Sequence, residues 1–70
     1  MKYAVVFGKT ENDYAAYVPD LPGCIATGAT REDTERLIQE AIEFHIEGLQ
    51  LHGEPIPEPT TQAGIVSIST

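Results

Sequence analysis

Seventy residues suffice for one domain, residues 1–70, and eleven acidic against four basic side chains give it a formal net charge of −7. A chain this short buries only about 60% of its unfolded surface, so its core is small, and its charge repels phosphate backbones while attracting basic surfaces, which argues against direct nucleic-acid binding. A single cysteine leaves no internal disulfide, cysteine-based metal site or redox pair, and fits a reducing, cytoplasmic setting.

Residues 2–8 alternate Tyr3, Val5 and Phe7 with Ala4 and Val6, an apolar, β-forming run that predicts a central strand. The run ends at Gly8, too short for a signal peptide, and no apolar stretch in the chain approaches the roughly 20 residues of a membrane helix. Lys9-Thr10-Glu11-Asn12-Asp13 is polar and turn-forming, and the alternation resumes over residues 14–18, which predicts an antiparallel hairpin. Next comes Pro19-Asp20-Leu21-Pro22-Gly23. Two prolines fix φ near −65° and remove two donors, and Gly23 accepts a positive φ, so the segment reads as a stiff exposed turn presenting Asp20 and Leu21. A third strand follows over residues 24–29, with Ile25 and Thr27 on one face and Cys24, Ala26 and Gly28 on the other, where their small size leaves room for a helix.

Thr30 is a good N-cap, Asp33 three residues on approximates a capping box, and Glu32 and Asp33 suit the positive helix end. Leu37, Ile38, Ala41, Ile42, His45, Ile46 and Leu49 recur at helical spacing and Gly53 supplies a stop, so a helix over 31–52 is predicted. Its polar stripe includes Glu40, Glu43 and Glu47; Phe44 and Leu51 widen the apolar arc beyond what one sheet face requires, which points to self-association. Residues 55–59 are proline-rich and read as a connector across the surface. Ile65, Val66 and Ile68, interleaved with Ser67, predict a last strand returning parallel through a right-handed crossover. The expected order is βββαβ, an α+β domain with an antiparallel meander and one helix packed on one face.

Catalytic chemistry finds little support. The first and last strands carry no acid and the helix acids lie on a solvent-facing stripe, so the converging carboxylates of a metal-dependent nuclease are missing. Cys24 has no base placed beside it and reads as a small buried thiol. His45 sits in the apolar arc as a core or interface histidine, and His52 suits the negative helix end. Ser67 and Ser69 lie in no elbow motif, and there is no phosphate-cradling glycine loop. No metal or cofactor is called for, and a degenerate nuclease is the weakest of the readings.

The amino-terminal strand pair, Pro19-Asp20-Leu21-Pro22-Gly23-Cys24 followed by Gly28 and Thr30, Glu40-Ala41 and Glu47-Gly48-Leu49 in the helix, and Gly53-Glu54-Pro55-Ile56-Pro57-Glu58-Pro59 after it together resemble the HicB-type antitoxins of HicA/HicB toxin-antitoxin pairs. The resemblance spans nearly the whole chain. It implies a partial ribonuclease-H-like fold without the ribonuclease-H catalytic acids, and hence no enzymatic activity. It also implies a partner, a small basic messenger-RNA endonuclease of HicA type whose catalytic histidine the antitoxin masks. Many members add a carboxy-terminal DNA-binding domain; this chain ends at Thr70 without one, so operator binding by the chain alone is not expected. The partner-facing surface is expected at Asp20, Leu21, Glu40, Glu43 and Glu47, with a homo-oligomer, dimer or tetramer, presenting it. The alternative is a free-standing homo-oligomeric HicB-like domain with a different partner or ligand.

Overall fold

A computed structural model describes residues 1–69. Strands β1 (Val6–Lys9), β2 (Tyr14–Tyr17) and β3 (Ile25–Gly28) are followed by helix α1 (Arg31–Leu51), and the sheet order is β1-β2-β3, antiparallel throughout. The α+β class, the meander and the helix on one face are as expected. Within the first hairpin the Thr10 amide donates to the Asp13 carbonyl at 2.8 Å and the Asp13 amide to Thr10 Oγ1 at 2.9 Å, which closes the polar turn on itself. Register pairs Val6 with Tyr17 and Tyr17 with Ile25. Phe7, Ala16 and Ala26 therefore share the face that α1 covers, while Val6, Tyr17 and Ile25 share the uncovered one.

Two expectations are corrected. The first strand is an edge strand, and β2 is the central one. Its ladder begins at Val6 because two residues earlier Ala4 would oppose Pro19, which has no N–H to give. The predicted last strand does not form: the chain beyond Gly53 has no regular secondary structure among the described residues. Residues 65–68 have strand propensity but no paired edge, and four residues of extended chain do not hold their shape without one.

The two prolines preset a pair of consecutive turns. The Leu21 amide donates to the Val18 carbonyl at 3.1 Å around Pro19 and Asp20, and the Cys24 amide donates to the Leu21 carbonyl at 3.0 Å around Pro22 and Gly23, whose φ is 84°. Leu21 is the residue shared by both turns. Its side chain is driven inward to 0% exposure, where it joins Ala16, Val18, Cys24 and Ile38 as the buried core. The expected exposed turn is thus exposed only at Pro22 and Gly23.

Helix α1 starts as predicted, with Thr30 Oγ1 accepting from the Asp33 amide at 3.0 Å. It ends in a Schellman motif: the Gly53 amide donates to the Gln50 carbonyl and the Glu54 amide to the Leu49 carbonyl, at 3.1 and 2.9 Å. At its start the helix lies against β3 because Gly28 has no side chain. Thr34, fully buried, donates its hydroxyl to the Thr30 carbonyl at 2.7 Å and lies directly over that glycine. A Cβ on Gly28 would stand 2.7 Å from Thr34 Oγ1 and 2.9 Å from the Thr34 amide nitrogen. Gly28→Ala is expected to destabilise the domain by about 1–3 kcal/mol in urea unfolding, as overpacking does elsewhere. Gly8→Ala, which meets nothing within 4 Å, is the control and should change little.

Candidate partner-binding surface

The helix exposes a crest opposite the face it buries. Ile38 points into the core, and at about 100° per residue Glu40, Glu43 and Glu47 fall on the far side. All three are exposed. Glu40 lies 4.0 Å from Arg36, which itself lies 3.8 Å from Asp33, and these exposed pairs contribute little to stability. Beside the acids on the β3 side stand Phe44 at 80% exposure and Leu51 at 78%. The wide apolar arc read from the sequence is real, and its margin is uncovered. On the β1 side Glu43 and Glu47 rim a groove of about 590 Å³ floored by Tyr3, Ile42 and Ile46.

The two turn residues expected to face a partner are engaged within the chain. Leu21 is core, so it touches no partner without opening both turns. Asp20 is a clamp. Its Oδ2 accepts from the Thr60 and Thr61 amides at 3.0 and 2.9 Å, and its Oδ1 from the two hydroxyls at 3.1 and 2.8 Å. Nearby, the Tyr3 hydroxyl donates to the Pro57 carbonyl at 2.6 Å. The connector after α1 is thereby strapped across the end of the sheet where β1 begins. Sequence reasoning missed this clamp because Asp20 and Thr60 are 40 residues apart; the only local signal was a Thr-Thr pair just past the prolines.

Four hydrogen bonds hold the Asp20 carboxyl below its ordinary value of 3.8, the Thr61 amide contributing most and partial burial opposing. Since the folded-state value is the lower one, the clamp's contribution to stability is complete above pH 3.8 and is lost as pH falls through the folded-state value. Burial raises the Cys24 thiol instead, away from the thiolate a nucleophile needs. His52 sets a ring nitrogen 2.8 Å from the Gly48 carbonyl in the last helical turn, the role expected of it. Among the described residues no three His, Cys, Asp or Glu side chains converge as metal ligands, and no helix is long and apolar enough to cross a membrane.

The Asp20→Asn variant tests the clamp. An amide in place of the carboxylate cannot accept all four bonds, so amide exchange at Thr60 and Thr61 should quicken at neutral pH while the Leu21 and Cys24 amides keep their protection. In the unsubstituted protein the Thr60 and Thr61 amide shifts should titrate together, below pH 3.8.

Comparison with known proteins gives a consistent result. A family model described as the HicB_like antitoxin of bacterial toxin-antitoxin systems matches residues 3–68. A UPF0150 protein of Thermoplasma acidophilum is 41% identical over 63 residues, covering 89% of this chain and 91% of that protein. An uncharacterized 14.9 kDa protein from the rep-hol intergenic region of Haemophilus phage HP1 is 38% identical over 58 residues; the match covers 83% of this chain but 44% of the phage protein. Among solved structures, a chain of a HicA3 and HicB3 toxin-antitoxin complex superposes with a TM-score of 0.73 at 35% identity, over 86% of this chain and 70% of that one.

Proposed function

The chain belongs to the HicB-like antitoxin family of bacterial toxin-antitoxin systems, and from that membership we propose that it binds a small basic HicA-type ribonuclease in the cytoplasm and occludes its active site. The observation that carries this reading is the likeness to a chain solved in a HicA3 and HicB3 complex, at 35% identity over 86% of this chain. The protein acts by binding and has no catalysis of its own. With a net charge of −7 it presents the sign of surface a basic toxin requires.

The toxin-facing surface in this reading is the crest of α1. Glu40, Glu43 and Glu47 steer the basic partner, and the exposed Phe44 and Leu51 beside them supply the desolvated contact that acids alone do not. These two take the anchoring part first expected of Leu21. Asp20 contributes indirectly, by holding the connector against the sheet.

The roles separate kinetically. In a reconstituted HicA-type toxin assay that follows RNA cleavage and binding rates, Glu43→Lys with Glu47→Lys should slow association by about tenfold or more and flatten its salt dependence. Phe44→Ala should leave association nearly unchanged and speed dissociation, at a cost of about 1–3 kcal/mol. Full neutralisation with unchanged rates by both folded variants would place the contact off this crest.

A further inference from the structure

Arg36 is the last lysine or arginine in the chain, and Glu40, Glu43, Glu47, Glu54 and Glu58 all come after it. Basic residues favour the last turn of a helix, where the dipole is negative, and α1 has none there. The Schellman motif sets an acid at that end instead. The Glu54 amide donates to the Leu49 carbonyl at 2.9 Å, which fixes Glu54 just past the helix. Among the described residues Glu54 has no ion-pair partner. A carboxylate at the negative pole is repelled, which disfavours the free chain, and an arriving cation relieves it.

Glu54 stands at a cleft. Between β3 and the second half of α1 lies a space of about 440 Å³ whose lining includes Ile25, Phe44, His45, Leu49, His52 and Glu54. Phe44, His45 and His52 offer flat rings. Ile25 and Phe44 are 69% and 80% exposed, apolar surface that nothing in the single chain covers. Aliphatic surface, ring faces and one unpaired carboxylate together match arginine, which lays its methylene stem along apolar groups, stacks its planar guanidinium on rings and pairs a carboxylate through two parallel N–H groups. Lysine has the charge without the plane, and its ammonium holds water more tightly.

We propose that this cleft takes an arginine of the basic toxin, with the stem over Ile25 and Leu49, the guanidinium against Phe44 and its charge on Glu54. Such a grip presupposes the toxin-binding reading above and deepens it by naming the side chain that is held. Phe44 joins the two surfaces, since it stands both beside the acidic crest and in the cleft. Glu40, Glu43 and Glu47 act at a distance, on the approach of the partner. Glu54 acts in contact, once water has left the cleft.

The test uses the full chain and a HicA-type toxin isotope-labelled at its arginines only. In the complex, isotope-filtered NOEs should connect arginine δ-methylene protons of the toxin to the Phe44 ring and the Ile25 methyls. Glu54→Gln should weaken binding by about tenfold, mostly through faster dissociation, and should not lower the urea midpoint of the free protein, because it takes a repelled charge from the helix end. Glu58→Gln, the same loss of charge outside the cleft, should change affinity by less than about twofold at about 0.15 M salt, which screens exposed charges more than about 8 Å apart. A toxin that fails to bind even the unsubstituted chain overturns the toxin-binding reading and the arginine grip with it. Tight binding without arginine contacts to Phe44, or with Glu54→Gln as harmless as Glu58→Gln, overturns the arginine grip alone.

Discussion

Everything in this small domain leans on Leu21 being held inside by two turns that share it. Pro19 and Pro22 each preset the second residue of a turn, and the hydrogen bonds from Leu21 to Val18 and from Cys24 to Leu21 leave that side chain one direction, into the space between sheet and helix. Ala16, Val18, Cys24 and Ile38 complete the core around it. A core this thin has no surplus: removing Leu21 would empty its end and slacken the approach of α1 to β3. The rigid turn therefore acts inward, as packing, and its neighbour Asp20 acts sideways, as the anchor for the connector.

The acidic residues accordingly fall into two classes with different physics. Asp20 is fixed by four donors and spends its charge within the chain, while Glu40, Glu43 and Glu47 stand in solvent, where their field reaches outward and is weakened by salt. Such a division suits an antitoxin of this family. Asp20 holds the connector against the sheet, while Glu40, Glu43 and Glu47 are engaged by nothing deeper than exposed ion pairs and stand beside the exposed Phe44 and Leu51.

Apolar surface remains on three sides of the single chain: at the margin of the helix, on the outer sheet face at Val6, Tyr17 and Ile25, and along the carboxy-terminal segment. A free-standing chain would keep all of it in water.

The chain's own chemistry was enough to specify the hairpin, the third strand and the helix, but not the fate of residues 65–68. Alternation over residues 14–18, the paired prolines, the Thr30 cap, the helical spacing from Leu37 to Leu49 and the stop at Gly53 are local signals, each set by backbone stereochemistry within a few residues. Local signals also marked the small face of β3 on which α1 packs, with Gly28 its closest point. Tertiary structure alone decided the rest. Whether Leu21 points out or in depends on how two turns compound, whether Asp20 is free depends on threonines 40 residues away, and β1 lies at an edge because residues 65–68, for all their strand propensity, do not pair beside it. A strand's propensity is written in its sequence, but its partner is not, because half of every ladder hydrogen bond belongs to another segment.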